Sequence, residues 1–301
     1  MIHIAHIVNP FKAEVDSEAF ALQSITYESM YRAKEFANGK VAVELFSVSF
    51  SEDQDSIPSF FTKLPDLKRS VLDAADFTVK RKLPLIADIL KSLFENGKAD
   101  WLIYTNTDIA LMPNFYESVA AYITEGYDSI LINRRRISKQ YNRMEQLPLM
   151  YAELGSSHPG YDCFVFHRSL FSQLILDEIC IGIPFIEVSM LHNFIAFSKK
   201  LKHVDDKHLT FHIGMEVMPP IVQEYYWHNR KVYEQKIRPI LLPLLKLEKF
   251  PYSTLPFYKR MFKWMLNPCY SSTLLLELEG KSFFRKVKIS LDEFRWRILS
   301  K

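Results

Sequence analysis

Short apolar runs alternate along much of this chain with longer stretches in which apolar residues recur every three or four positions. Ile2–Val8 predicts a first strand, ended by Asn9-Pro10. Residues 17–38 predict a helix, with Ser17 as its cap and Phe20, Ile25, Met30 and Phe36 among its apolar positions. Val41–Val48 alternates and predicts a second strand. The polar, proline-punctuated residues 51–70 read as a long loop, followed by a short strand near Phe77-Thr78-Val79. A helix is expected across Pro84–Glu95, because Leu85, Ile86, Ile89, Leu90 and Leu93 share a face and Asn96-Gly97 closes it. Trp101-Leu102-Ile103-Tyr104 predicts a buried strand that drives into a polar knot, Thr105-Asn106-Thr107-Asp108. A helix over 113–125 and a strand at Ser129–Asn133 come next. Arg134–Pro159 reads as irregular and Cys163–Phe166 as a short strand. Ser169–Leu176 and Pro184–Ser198 read as helices, and Leu209–His212 as a strand. This alternation predicts an α/β fold with a mostly parallel sheet flanked by helices. Past residue 230 the pattern turns helical and basic. Residues 1–230 are therefore expected as the α/β domain, and residues 231–301 as a basic, aromatic-rich helical extension.

Composition narrows the chemistry. A hydrophobic share of 48% and a charged share of 24% are those of an ordinary globular chain, long enough at 301 residues for one good core. Glycine is scarce, at 8 residues, and neither a GxGxxG nor a GxxxxGK[ST] string occurs, which argues against a dinucleotide fingerprint or a P-loop. Cys163, Cys180 and Cys269 fit no zinc spacing and no disulfide framework, so a reducing compartment is the simpler expectation. The N-terminus enters a strand pattern directly and does not read as a signal peptide, and no apolar run is long enough to span a membrane. Charge is unevenly shared. Residues 1–230 hold 23 Lys and Arg against 29 Asp and Glu, whereas residues 231–301 hold 15 against 6.

The polar knot is the sharpest chemical signal. Polar side chains at the carboxyl end of a central strand are where open α/β sheets hold nucleotides and metals. Asn106 and Asp108 offer two oxygen-bearing groups on one side of an extended segment, suited to Mg²⁺ or Mn²⁺ bridging a diphosphate. A bland alternative for Asp108 is a helix-capping role in a βα loop. His212, ahead of Gly214, is either a cation ligand or a half-buried imidazole bonded to a carbonyl. Asp162, between Gly160-Tyr161 and an apolar strand, is a candidate general base, and Glu187, among apolar neighbours, is either a second one or an exposed first-turn helix residue. Arg134-Arg135-Arg136 is either a grip for a diphosphate or anionic acceptor, or a solvated edge.

Together these segments resemble the GT-A fold glycosyltransferases over roughly residues 1–230. Ala99–Tyr116 looks like their strand and DxD-type segment, with Asn106 in the place of the first Asp. Ile4–Pro10 resembles the first strand and nucleotide-side loop, and Gly160–Phe166 the acceptor-side strand. Arg81-Lys82 resembles a basic stretch near the nucleotide, and Phe211–Gly214 the late element that supplies a further metal ligand. The resemblance implies a glycosyltransferase using a nucleotide-sugar donor, a glycan or lipid-linked acceptor, and Mn²⁺ or Mg²⁺. It implies Asp108 and His212 on the metal, Asn9, Arg81, Lys82 and Asn106 on the nucleotide, and Asp162 or Glu187 as base. Asparagine for the first Asp departs from the family pattern.

In the extension, aromatics interleave with cations between residues 257 and 289, a pattern that settles on anionic bilayers or docks on an acidic domain. A cytoplasmic protein, peripheral to the inner face of the membrane, is the corresponding expectation. No RRM, KH or helix-turn-helix signature occurs, so nucleic acid is not an expected partner. Two rivals stay open: a degenerate transferase domain kept for glycan binding or assembly, and a sugar nucleotidyltransferase. The latter lacks its glycine-rich strand end here, since Val8-Asn9-Pro10-Phe11 holds no Gly.

Overall fold

The computed structural model describes residues 1–15, 17–205, 207–215, 222–267 and 270–299, so Cys269 lies outside the described residues. The chain forms two compact units, Met1–Leu244 and Leu245–Lys301. The first is built on β1 (Ile2–Val8), α1 (Glu18–Phe36), β2 (Val41–Ser47), β3 (Thr62–Lys63), α2 (Ile86–Asn96), β4 (Trp101–Thr105), β5 (Ala110–Leu111) and α3 (Phe115–Thr124). It continues with β6 (Ser129–Ile137), α4 (Leu147–Ala152), β7 (Ser156–His167), α5 (Ile186–Phe197), β8 (Leu201–Val204), β9 (Thr210–Ile213), α6 (Gln223–Val232) and α7 (Arg238–Leu241).

The expected mostly parallel α/β sheet flanked by helices is present. Strand order is β3-β2-β1-β4-β7-β6-β9-β5, with β8 on the free half of β6. β1, β2, β3 and β4 are parallel, β7 is antiparallel to both β4 and β6, and β8 and β9 are parallel to β6. Only β7 and β5 therefore run against the common direction. The carboxyl ends of β4, β6 and β9 meet the amino-terminal half of β7 on one rim.

Apolar alternation drives this arrangement. Ile4, Ile103, Ile130 and Val165 point from neighbouring strands into a core closed by Met30 of α1 and Phe115, Tyr116 and Val119 of α3. His6, in the middle of β1, sits between the Tyr116 hydroxyl and Thr105 Oγ1, each at 2.9 Å, and burial lowers its pKa to about 3. It packs as a neutral imidazole.

Several sequence expectations change, among them the short strand at Cys163–Phe166, which runs from Ser156 to His167. No strand forms at 77–79. The Glu224 carboxylate accepts the Thr78 and Val79 N–H groups at 2.7 Å, and Phe77 stacks on Tyr225, so the segment is tied to α6 instead of to a sheet edge. Ser129–Asn133 extends to Ile137, bringing all three arginines into β6. Ser169–Leu176 is a 3₁₀ turn over Arg168–Gln173 rather than an α-helix.

The second unit contains α8 (Phe257–Leu266), α9 (Ser272–Leu278) and α10 (Ser282–Leu299). Its core forms around Trp264, which is fully buried against Phe250 and Tyr270 at ring separations of 5.0 and 5.4 Å, and Leu274 and Leu275 of the same unit are buried too. Arg260, also buried, is neutralised by Glu279 and donates to the Ser253 carbonyl. Trp264→Ala is expected to destabilise this unit by about 3 kcal/mol, because a large buried ring leaves a cavity. Urea unfolding followed by circular dichroism measures it. No described helix is long and apolar enough to cross a membrane.

Candidate functional site

β4 delivers the polar knot to the rim because Leu102, Ile103 and Tyr104 are buried and Thr105 is held by His6. The Tyr104 hydroxyl donates to Asn106 Oδ1 at 2.7 Å, which fixes the asparagine and occupies its carbonyl oxygen. Asp108 caps no helix, since α3 begins after Asn114 without a side-chain cap bond. Its Oδ2 lies 3.2 Å from His212 Nε2, while Oδ1 is buried without a hydrogen-bond partner. Burial pushes this carboxyl up, but the His212 hydrogen bond and charge, with Arg134 behind them, hold it below the ordinary value. Asp108 is ionised at neutral pH.

His212 reaches this point from β9, whose register sets it beside Arg136 of β6. Its Nδ1 is buried and without a partner. On the other side of β6, β7 departs from regular pairing. Asn133 faces Tyr161 and Arg135 faces Ser157, so His158, Pro159 and Gly160 bulge opposite Arg134. Asn133 pins the bulge by donating to Ser157 Oγ and to the His158 and Asp205 carbonyls, at 2.8 to 3.1 Å.

Asp162, two residues beyond the bulge, is 4% exposed and accepts from Arg134 Nη1 at 2.7 Å. Its Oδ2 is buried without a partner. Burial raises its pKa, Arg134 opposes that, and the charge of Asp108 adds to the rise. His158 is buried too. Its pKa falls to about 3 through burial and the charges of Arg134, Arg136 and His212, so it is neutral in the fold.

The rim thus unites Asp108, His212, Asp162 and Arg134, and the other predicted residues lie as follows. Asn9 is buried and donates to the Val48 carbonyl at 2.6 Å, tying the end of β1 to the end of β2. Lys82 pairs with Glu52 at 2.6 Å and lies over the Phe50 ring at 4.0 Å. Arg81 is exposed, and its backbone N–H donates to the Tyr225 hydroxyl at 2.7 Å. Glu187 stands half-buried in the first turn of α5, two residues after Phe185, whose φ of 89° is left-handed. Arg135 is used within the fold, donating to the Leu154 and Gly155 carbonyls. Sequence reasoning missed the Arg134–Asp162 ion pair and the Tyr104–Asn106 bond. The second follows from residue spacing on one strand face, whereas the first depends on a bulge that no local pattern announces.

Oxygen and nitrogen groups gather here at the carboxyl ends of parallel strands, the place where open α/β sheets bind ligands. No family model and no curated protein matches the chain. Solved structures of GT-A-type glycosyltransferases are similar to it. One is residues 1–349 of S. aureus TarS in complex with UDP-GlcNAc, at 9% identity and a TM-score of 0.46, covering 94% of this chain and 73% of that one. Another is glucosyl-3-phosphoglycerate synthase from Mycobacterium tuberculosis in complex with Mn²⁺ and UDP-glucose, at 13% identity and a TM-score of 0.43, covering 77% and 76%. Likeness at this level concerns the arrangement of elements and carries no activity to this chain.

Proposed function

We propose that this chain is a metal-assisted glycosyltransferase that moves a sugar from a nucleoside-diphosphate donor to a glycan or lipid-linked acceptor. The observation that carries the reading is the rim itself, where a partnerless carboxylate oxygen, an imidazole and a second buried carboxylate converge after β4. Asp108 and His212 would hold the divalent cation. A carboxylate with an imidazole suits Mn²⁺ better than Mg²⁺, and phosphate oxygens and water commonly complete such a shell. The cation, when bound, would neutralise charge on the departing nucleoside diphosphate.

The remaining steps belong to the chain's own residues. Asn9 shapes the loop after β1, and Asn106 faces the donor with a fixed amide. Arg81 is the cation of this pair with no carboxylate partner among the described residues, since Lys82 is engaged by Glu52. Asp162 is the base we assign, because Oδ2 lacks a partner while Oδ1 is anchored by Arg134. As the acceptor oxygen bonds to the sugar carbon and the carbon–diphosphate bond breaks, the hydroxyl proton passes to Oδ2. A raised pKa strengthens that base. Glu187, at the start of α5, is the alternative.

Asp162→Asn is expected to lower turnover about 100-fold while nucleotide binding stays intact. Steady-state release of nucleoside diphosphate, with calorimetric titration of the nucleotide alongside, checks both halves. If Glu187→Gln gives the larger loss, the base assignment moves there. The reading as a whole is tested by a donor screen for nucleoside diphosphate release, with uridine and guanosine diphosphate binding measured with and without Mn²⁺. A degenerate, glycan-binding domain is the second reading. It is favoured by the occupied Asn106 oxygen and by the lack, among the described residues, of any cluster of three metal-capable side chains. Such a domain would show no coupling between metal and nucleotide.

Exposed Tyr258, Phe262, Met265, Leu266, Phe283 and Phe284, interspersed with Lys259, Lys263 and Lys286, support contact of the second unit with an anionic membrane surface. That contact suits a lipid-linked acceptor.

A further inference from the structure

Unmade hydrogen bonds cluster on the β6–β7–β9 side of the rim. Arg134 Nε, Arg136 Nε, His158 Nδ1 and His212 Nδ1 are all buried without partners. Each buried donor left unpaired costs about 1–3 kcal/mol, so a cluster of them is retained at a stability cost unless something else completes it. Strand register places them together. Arg134 and Arg136 share a face of β6, His212 pairs beside Arg136, and the β7 bulge brings His158 opposite Arg134. Their charges are not equally cancelled. Arg134 is neutralised by Asp162, and Asp108 faces His212. Arg136 instead donates only to the Met215 and Ser157 carbonyls among the described residues, at 2.5 and 3.2 Å. Its positive charge has no carboxylate partner there.

We infer that Arg134, Arg136, His158 and His212 form a subsite for an anionic group, a phosphate or carboxylate, carried by the acceptor. This rests on the transferase reading, which puts the nucleotide on the β1–β4 side and leaves the β6–β7 side to the acceptor. A guanidinium N–H and neighbouring imidazole N–H groups match the several acceptor oxygens of a phosphate. The acceptor is thus a phosphorylated or acidic sugar, polyol or glycan rather than a neutral one, and its charged group holds a neighbouring hydroxyl near Asp162.

The test uses the full chain and inorganic phosphate, titrated calorimetrically with and without saturating UDP and Mn²⁺. Phosphate is expected to bind in both cases, about tenfold or more weaker in Arg136→Met, and within about threefold of the original in Arg136→Lys. Absence of phosphate binding, or unchanged binding in Arg136→Met, overturns the subsite. Competitive displacement of phosphate by UDP with Mn²⁺ assigns the anion site to the donor and overturns the acceptor inference. If both Arg136 variants melt early, His158→Phe takes their place, with weakening again expected and unchanged affinity again fatal. Failure of both UDP and GDP to bind in any condition sinks the transferase reading, and the acceptor assignment with it, whereas the phosphate titration alone still reports whether the anion subsite exists.

Discussion

Asp108→Ala is expected to abolish the tightening of nucleotide binding by Mn²⁺ and to lower turnover about 1000-fold, roughly 4 kcal/mol of transition-state stabilisation. In the unaltered chain Mn²⁺ should tighten UDP or GDP binding at least about tenfold, and in the variant that gain should vanish. The side chain caps no helix, so its removal breaks no capping bond. Asp108→Asn is the closer control, because it keeps the shape beside His212 while removing the charge. A second consequence follows from the same geometry. The charge of Asp108 helps to raise the pKa of Asp162, so its removal should move the acid limb of the pH–rate profile to lower pH. Retention of metal-linked binding in both variants would mean that the rim holds no cation.

Mild acid should destabilise the first unit steeply. His6, His158 and His192 are buried, and each has its pKa lowered from 6.5 to about 3, chiefly by burial. In the unfolded chain each takes up a proton near its ordinary value, whereas in the fold each stays neutral. Their contribution is therefore fully present above pH 6.5 and is lost progressively as pH falls towards 3. At pH 5 each costs about 2 kcal/mol, or about 6 kcal/mol for the three together, which rivals the whole stability of many domains. Asp162, with its raised pKa, works in the opposite sense, since the fold holds its proton more tightly as pH falls into the carboxylate range. Urea midpoints at pH 7.5 and 5.0 measure the balance. His192→Phe, which removes one of the three groups, should shrink the pH-dependent part by about one third. A flat profile over that range would show that these imidazoles are not neutral in the fold.

What could be read from the sequence, and what could not, divides along one physical line. β1, β2, β4 and α2 were legible because each carries its own burial pattern, and the knot after β4 was legible because polar residues interrupt an apolar run. The arginines of β6 read as irregular because three charges in a row look solvated. They lie in a strand because every one finds partners across the sheet: Asp162 for Arg134, the carbonyls of 154 and 155 for Arg135, and those of 157 and 215 for Arg136. The strand expected at 77–79 failed for the converse reason. Its residues favour extended backbone, but Glu224, nearly 150 positions later, captures the N–H groups a neighbouring strand would have taken. The nearness of Asp108, His212 and Asp162 depended on register between strands far apart in sequence, and only the family resemblance hinted at it.

The excursion between β6 and β7 leaves and rejoins the sheet at directly paired residues, Arg136 and Ser156. Its two ends are fixed to each other whatever lies between them. Residues 138–155 nonetheless tie back into the core through Leu147 and Met150, which pack with Ala110, Phe211 and Ile213, so only their solvent-facing positions can be exchanged with Asp108 and His212 left in register. A lineage built on this scaffold retargets itself to new clientele by rewriting the outer face of that stretch, while Leu147 and Met150 keep the strand that carries His212 in place.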